Sequence, residues 1–283
     1  MTTKIGKKLG EGAGSEVYEW DDGNKIVKLA KPNTSFSALE RELNHSRIAW
    51  ECGLPVPEPF ELVTIGDRNG IVFERIRGES VLKRLVGGSV VPHDDLFEAR
   101  LTARLLHQVH SHEAPHLRSQ RENMTDGIRN APHLTESEKE AILADVRQLP
   151  MKQRLCHGDP NPGNILLRER DAMLIDWNDA SSGNPEADAA EYVLLLRFAV
   201  VPTYLNLSPS MSAAIDAKRE EAIRLFLEEY EKLSGLGTEE IEPWVVPVAA
   251  RKLSADAFSD TEKALLVTEI RKRLQNKETF GWD

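Results

Sequence analysis

The sequence predicts an α+β protein of two lobes, a small β-rich lobe followed by a larger, mostly helical lobe. Three observations support this fold class. Residues 5–74 consist of short apolar runs separated by turn residues, which is typical of strands. After Gly78 the apolar residues recur mostly at helical spacing. The length of 283 residues fits one large domain or two lobes. We therefore divide the chain into an N-terminal lobe, 1–77, and a C-terminal lobe, 78–283.

The first lobe is predicted to contain two hairpins with a helix between them. Apolar residues flank a turn made of aspartate, glycine and asparagine in the first hairpin. The helix has a loose apolar face and ends at Gly53 and Pro55. The expected elements are strands around 17–18 and 26–29, a helix over 37–52, and strands over 62–65 and 71–73 with a turn at 66–70.

The second lobe is predicted to be helical except for an island of strands. Thr135 and Glu138 have the spacing of a capping box at the start of one helix. The stretch 113–135 has few apolar anchors, so we expect an exposed connection there. The other expected helices are 94–113, 186–200, 211–233, 239–256 and 260–275, and the strand-rich island spans 154–177.

Composition excludes several classes of protein. The chain carries 36 basic and 46 acidic side chains, a net charge of −10, whereas a general nucleic-acid binder needs a basic surface. Cys52 and Cys156 are too few for a disulfide framework or a cysteine-type zinc site, and they favour a reducing, cytoplasmic location. No secretory signal is expected, and no apolar stretch approaches the ~20 residues of a spanning helix. We therefore expect neither a nucleic-acid nor a membrane partner.

A glycine-rich segment lies between the first two expected strands. Gly10, Gly12 and Gly14 alternate with other residues and are followed by Ser15. Glycines let the backbone approach phosphate groups closely. A dinucleotide-binding loop would have a sixth-position glycine instead of Ser15 and a helix after it, and a Walker loop would need a Gly-Lys-Ser/Thr run. A plain hairpin turn remains the alternative.

Lys28 stands between apolar neighbours on an expected strand. Alternation places it on the face opposite Val27 and Leu29, so exposure to solvent is the default expectation. The alternative is that Lys28 holds nucleotide phosphates beside the glycine-rich segment. It would then need a carboxylate from the next helix, and Glu40 and Glu42 cannot both face it.

The strand island begins with a shaped loop. Asp159 lies five residues before Asn164, in a run that contains two prolines and two glycines. Such a run excludes regular helix and strand. The loop therefore presents Asp159 and Asn164 from an irregular backbone.

A short hairpin is expected directly after this loop. A turn centred on Arg170 would pair Asn164 with Asp176 at the open end of the hairpin. Together with Asp159, these side chains offer the oxygen ligands that Mg²⁺ prefers when it also binds substrate phosphates. The alternative is a polar hairpin without a cation, in which unpaired carboxylates beside buried strands would be costly.

Taken together, these segments resemble the protein-kinase-like fold, and within it the aminoglycoside phosphotransferase and choline kinase family. Residues 157–164, His-Gly-Asp-Pro-Asn-Pro-Gly-Asn, resemble the family's catalytic loop, which shares its Asp-to-Asn spacing with protein kinases. Ile-Asp-Trp at 175–177 resembles the metal-binding segment, and 183–188 the stretch whose aspartate braces the catalytic loop. Residues 53–57 resemble the link after the first-lobe helix. The match extends to about residue 200.

The resemblance implies ATP or GTP and Mg²⁺ as cofactors, and a role for each matching residue. Asp159 would orient the substrate hydroxyl and accept its proton. Asn164 and Asp176 would hold Mg²⁺, and Lys28 would contact the nucleotide phosphates, paired with Glu42. The implied nucleotide-binding residues are Gly10, Gly12, Gly14, Ser15, Lys28, Glu42, and Glu74 and Ile76 of a hinge that meets adenine.

The implied activity is ATP-dependent transfer of phosphate to a hydroxyl group of a small molecule, by a monomer or a homodimer. The acidic charge is compatible with a cationic alcohol such as an aminoglycoside or choline, and equally with a neutral sugar. A catalytically silent nucleotide-binding protein is a second hypothesis, although every expected catalytic position is filled. A serine/threonine protein kinase is a third, although no Ala-Pro-Glu segment follows Asp176.

Three histidines, His107, His110 and His112, cluster near the end of a predicted helix. His107 and His110 have the spacing of a metal site, but the sequence shows no evident acidic or cysteine partner. Core packing or an interaction with the helix C-terminus is therefore the expectation. Cys156 is expected to be a small buried apolar residue.

Overall fold

The fold is taken from a computed structural model, which describes residues 5–86, 97–168, 171–198, 208–255 and 259–279. The chain divides into two compact units, Met1–Val90 with Pro162–Ala180, and Val91–Asn161 with Ser181–Asp283. Residues 162–180 therefore associate with the N-terminal residues, although the division at residue 77 assigned them to the second lobe. That functional boundary stays a prediction.

Ten strands and ten helices are described. The strands are β1 (Lys8–Glu11), β2 (Ser15–Trp20), β3 (Lys25–Ala30), β4 (Pro59–Ile65), β5 (Arg68–Glu74), β6 (Glu79–Ser80), β7 (Arg154–Cys156), β8 (Ile165–Arg168), β9 (Asp171–Leu174) and β10 (Ser181–Gly183). The helices are α1 (Phe36–Glu51), α2 (Val81–Val86), α3 (Phe97–His110), α4 (Gln120–Arg129), α5 (Glu136–Gln148), α6 (Pro185–Phe198), α7 (Pro209–Ser234), α8 (Thr238–Ile241), α9 (Val245–Lys252) and α10 (Asp260–Thr279). A β-rich N-terminal sheet and a helical C-terminal part confirm the predicted fold class.

A five-stranded antiparallel sheet, in the order β1-β2-β3-β5-β4, dominates the first unit. One face packs Ile71 and Phe73 of β5 against Leu39 and Leu43 of α1. The opposite face buries a second cluster that includes Val27 of β3. Apolar residues thus cover both faces of the central strands, and this decides the environment of Lys28.

The hairpin between β4 and β5 differs from the prediction. Ile65 pairs with Arg68, so the turn contains two residues instead of the expected five at 66–70. Gly66 takes a φ of +63°, which suits a tight turn. Gly70, expected in the turn, lies inside β5, where a Cβ atom would come within 2.8 Å of the carbonyl oxygen of Lys28. Close approach of two strands, rather than a turn, explains this glycine.

The main apolar core of the second unit joins α3 to α10. Its residues include Phe226 and Tyr230 of α7 and Trp244 before α9. Within the expected exposed connection 113–135 the chain forms α4, which buries Met124 and Ile128, so the prediction was wrong there. Two anchors spaced four residues apart were enough, because α4 packs closely on α9.

Some sequence-based expectations reach beyond the described residues. The predicted helices over 94–113, 186–200 and 239–256 each include positions outside the described ranges. Among the residues that are described, no helix combines the length and the apolar character needed to cross a membrane.

The predicted capping box starts α5. The backbone N–H of Glu138 donates to the hydroxyl of Thr135 at 3.2 Å, and the backbone N–H of Thr135 donates to the Glu138 carboxylate at 2.7 Å. We expect Thr135→Ala to lower the free energy of unfolding by about 1 kcal/mol, because the N-terminal N–H groups lose an acceptor. Urea denaturation measures this, with Ser137→Ala in the same turn as the control. Equal effects of the two substitutions would contradict the role of the cap.

Candidate active site

The glycine-rich segment forms the hairpin between β1 and β2. A Cβ atom added at Gly10 or Gly12 would meet no atom within 4 Å, whereas one added at Gly14 would lie 2.7 Å from the Thr34 hydroxyl. Lys31 anchors the segment, since its ammonium donates to the carbonyl oxygen of Gly12 at 2.8 Å. The strand β2 follows directly at Ser15, so the helix that a dinucleotide-binding loop requires is absent at this position.

Lys28 is half-buried on the sheet face that α1 covers. Only 17% of its side chain is exposed, and its Nζ lies 2.6 Å from Oε1 of Glu42. The default expectation of solvent exposure was therefore wrong. Strand alternation gave the correct face of the sheet, but α1 packs on that face as well. Glu42 is buried and Glu40 exposed, so Glu42 is the partner.

A second carboxylate reaches the same lysine. Oδ1 of Asp176 lies 3.0 Å from Nζ of Lys28, and the side chain of Asp176 is 43% exposed. Burial opposes the charge of Lys28, but the two carboxylates outweigh it and raise the pKa of the ammonium above its ordinary value. Lys28 is therefore charged at neutral pH and lies between one buried and one accessible carboxylate.

The backbone at Asp176 is unusual. Its φ of +66° lies in the left-handed region, which non-glycine residues adopt rarely and at a cost of about 1–3 kcal/mol. Asp176 lies two residues after the end of β9, where the chain turns toward α1. There Nδ1 of His45 donates to the carbonyl oxygen of Trp177 at 2.9 Å. The left-handed turn presents the Asp176 carboxylate to Lys28.

Asn164 directly precedes β8, the other strand of the same hairpin. The predicted pairing of Asn164 with Asp176 is off by one residue. Arg168 pairs with Asp171 and Ile165 with Leu174, and the carbonyl oxygen of Asn164 accepts the N–H of Ile175 at 2.9 Å. Two positions, 169 and 170, separate the paired residues Arg168 and Asp171 and lie outside the described residues, whereas the prediction centred the pairing on one residue, Arg170. Asn164 and Asp176 still occupy the same end of the hairpin.

Two side chains with oxygen atoms that can bind a metal ion lie at this end of the hairpin. The Asp176 carboxylate and the Asn164 amide are hard ligands of the type that Mg²⁺ takes, usually with waters and substrate phosphates completing its shell. Their chemistry fits the predicted magnesium site.

Asp159 belongs to the second unit, so its convergence with Asn164 and Asp176 stays a prediction. Its Oδ1 accepts a hydrogen bond from Lys252 at 3.0 Å, and its Oδ2 accepts one from Asn161 at 2.7 Å. Burial is the largest influence and acts to raise the pKa of Asp159. Lys252, followed by His157 and Arg251, outweighs it and leaves the pKa below its usual value. Asp159 is therefore ionised at neutral pH.

The loop that carries Asp159 is held by Asp188 of α6. The Asp188 carboxylate accepts the backbone N–H groups of His157 at 2.6 Å and Gly158 at 3.0 Å. It also accepts Nε2–H of His110 at 3.2 Å, and Nδ1 of His110 lies 2.6 Å from the Tyr230 hydroxyl. The brace implied by the family resemblance is thus present. His110 is buried as expected, but its acidic partner was missed because it is distant in sequence.

Cys156 completes a buried group of potential metal ligands. Its thiol and the side chains of His110 and Asp188 have ligand atoms within 4.8 Å of one another. Burial raises the pKa of the Cys156 thiol well above its ordinary value. The oxygens of Asp188 already accept three hydrogen bonds. The group therefore acts as the brace of the loop, and Cys156 is buried as expected.

Glu74 and Ile76 occupy the end of β5 and the segment after it. The backbone N–H of Glu74 donates to the carbonyl oxygen of Glu58 at 2.9 Å. Glu74 and Ile76 are both half-buried. Their contact with adenine stays a prediction. Sequence reasoning missed three other charged residues near Asp159, which are Glu191, Arg251 and Lys252. No local motif marks them.

The sequence profile of the phosphotransferase enzyme family matches residues 5–207. The chain belongs to this family. Membership confirms the resemblance found in the sequence and the prediction of a kinase that uses a hydroxyl group as acceptor. No curated protein matches the chain closely enough to count as a relative.

Solved structures share the fold of this phosphotransferase-family chain. An aminoglycoside-3'-phosphotransferase of type VIII has a TM-score of 0.58 at 22% identity, with 91% of this chain and 94% of that chain covered. A thermostable mutant of aminoglycoside phosphotransferase APH(4)-Ia, in a ternary complex with AMP-PNP and hygromycin B, has a TM-score of 0.66 at 13% identity, with 97% and 94% covered. A choline/ethanolamine kinase family protein from Mesorhizobium loti has a TM-score of 0.55 at 15% identity, with 98% and 89% covered.

Proposed function

We propose that this phosphotransferase-family chain transfers the γ-phosphate of ATP or GTP to a hydroxyl group of a small molecule, with Mg²⁺ as the metal. The observation that carries the proposal is the Lys28 ammonium, held between the buried carboxylate of Glu42 and the accessible carboxylate of Asp176. A fixed point charge of this kind suits nucleotide phosphates. A lysine with only a stabilising role would not need an exposed second carboxylate in a left-handed turn.

On the nucleotide side, the glycine-rich hairpin leaves open space beside Gly10 and Gly12 for the approach of phosphate groups. Gly14 and Ser15 shape the same turn. Asn164 and Asp176 would hold Mg²⁺, which when bound supplies neutralisation of the phosphate charge.

On the acceptor side, Asp159 would accept a hydrogen bond from the substrate hydroxyl and orient its oxygen for attack. Its lowered pKa keeps the carboxylate ionised, as a hydrogen-bond acceptor that takes up the proton of the hydroxyl group during the transfer must be. Phosphoryl transfer depends mainly on positioning and charge stabilisation, so a weakly basic carboxylate is adequate.

The acceptor class stays open among aminoglycoside-like, choline-like and sugar-like alcohols. Relatives of the fold support a small hydroxylated substrate, since one was solved with hygromycin B and another belongs to the choline/ethanolamine kinase family. The chain passes from Asp176 to β10 at Ser181 with one short turn between them. This short connection favours a small acceptor over a protein. A cytoplasmic location and a monomer or homodimer complete the proposal.

Release of ADP from Mg·ATP on a panel of hydroxylated compounds tests the proposal. We expect at least one aminoglycoside, macrolide, choline analogue or sugar to raise ADP release above the rate with water alone. Nucleotide binding without stimulation by any compound would favour the silent nucleotide-binding protein. Phosphate appearing on a protein substrate would favour the protein kinase.

The metal role of Asp176 has a separate test. We expect Asp176→Ala to lose the Mg²⁺-dependent rise in melting temperature that ATP produces, because the metal loses a carboxylate ligand. At nucleotide concentrations near 100 times Kd, the stabilisation at stake is about 2.7 kcal/mol. Asp171→Ala, at the closed end of the same hairpin, is the matched control. An unchanged Mg²⁺ dependence in Asp176→Ala would remove Asp176 from the metal site.

A further inference from the structure

Charged side chains of α6 and α9 lie next to the loop that carries Asp159. Nζ of Lys252 lies 3.0 Å from Oδ1 of Asp159 and also pairs with Glu191 of α6. Arg251 donates to the carbonyl oxygen of Gly158 at 3.1 Å and pairs with the same Glu191. Two cations and two anions thus form one cluster around the loop.

Exposure within the cluster is graded. The side chain of Glu191 is 3% exposed and that of Lys252 is 8% exposed, whereas Asp159 is 28% exposed. Glu191 and Lys252 are therefore buried. The carboxylate of Asp159 is the group of the cluster that solvent or a ligand reaches most easily.

Buried charges of this kind contribute little net free energy to the stability of a fold. Buried ion pairs lose much of their attraction to desolvation, and apolar residues of similar volume often stabilise as well or better. Glu191 shows this cost, since burial, the largest influence, raises its pKa to about 6 despite two adjacent cations. A role in the candidate active site explains the presence of this cluster better than a contribution to stability does.

Resting on the proposed function, we propose that Lys252 is a positioning residue for Asp159. Lys252 fixes Oδ1 and Asn161 fixes Oδ2, so the carboxylate has one orientation toward an acceptor hydroxyl. Glu191 holds Lys252 and Arg251 in place and balances their charge. Because its side chain is buried, Lys252 acts through Asp159 and does not itself bind the acceptor.

A double-mutant cycle tests this assignment. The probe is Mg²⁺-dependent hydrolysis of radiolabelled ATP, with water as acceptor, in the full chain. We expect Lys252→Met to lower kcat about 10- to 100-fold while KM for ATP changes less than about twofold, because a misplaced carboxylate orients the acceptor poorly. In the Asp159→Asn background, Lys252→Met should cause no further loss.

A second variant, which removes the charges of Lys252 and Glu191 together, distinguishes a loss of positioning from misfolding caused by an unpaired buried charge. The pair Lys252→Met with Glu191→Gln keeps the buried charge balanced and should show the same loss in kcat. Equal losses from Lys252→Met in the presence and absence of Asp159, or a raised KM with unchanged kcat, would overturn the assignment of Lys252 alone. Absence of ATP turnover by the unmodified chain, both with water and with every compound of the panel, would overturn the proposed function and the assignment with it.

Discussion

Asp159→Ala should abolish phosphoryl transfer while Mg·ATP continues to bind. The carboxylate is the group proposed to orient the acceptor hydroxyl, and a positioned base contributes about 10²- to 10⁴-fold to such reactions. Its carboxylate accepts hydrogen bonds from Lys252 and Asn161, which belong to the second unit, as Asp159 does. Lys28 and Asp176, proposed to hold the nucleotide and metal, belong to the first unit.

Turnover and nucleotide binding are measured separately, by ADP release and by the ATP-induced rise in melting temperature. Asp159→Asn keeps the size of the side chain and should lower turnover about 10²- to 10⁴-fold, to a residual rate that radiolabelled ATP still measures. The control is Asp126→Ala, which removes an exposed carboxylate of α4 that pairs with Arg118. Loss of nucleotide binding in a folded Asp159→Ala protein would contradict the role of Asp159.

Asp188→Ala should cause the largest loss of stability. Its carboxylate is fully buried and accepts two backbone N–H groups of the loop that carries Asp159 and an N–H of the His110 imidazole. Removing one partner of a buried charge network costs about 3–5 kcal/mol of the free energy of unfolding. Turnover should also fall, because the loop that carries Asp159 loses its brace. Urea denaturation measures the first effect and ADP release the second.

The pH dependence of stability gives Asp188 an independent test. Burial acts to raise its pKa, but His110, then His157, outweigh burial and leave the pKa below its ordinary value. A carboxylate with a lowered folded pKa stabilises the fold above its unfolded pKa and loses that effect as pH falls through the folded pKa. The unmodified chain should therefore lose more stability on acidification than Asp188→Asn. Parallel losses in the two proteins would contradict the brace.

Local signals in the sequence predicted much of the fold. The capping box at Thr135 and the order of the motifs depend on residues close in sequence, so spacing alone identified them. The predicted register of the β8–β9 hairpin was wrong by one residue, because composition does not show whether one or two positions separate the last paired residues. That shift moved the cross-strand partner of Asn164 from Asp176 to Ile175.

The environment of each charged side chain was harder to predict. Alternation assigned Lys28 to a sheet face but could not show that α1 covers that face. Lys252 lies 93 residues after Asp159, and nothing in its neighbouring sequence marks it as a partner. Contacts of this range depend on how helices pack, which periodicity does not encode.

The fate of the γ-phosphate of labelled ATP tests the central claim most directly. The chain is incubated with Mg²⁺, γ-labelled ATP and the panel of hydroxylated compounds, and the small-molecule and protein fractions are separated. A small-molecule kinase transfers label to one compound, and the Asp159→Ala protein does not. Label confined to protein, or label that stays on bound ATP with every compound, would contradict the account.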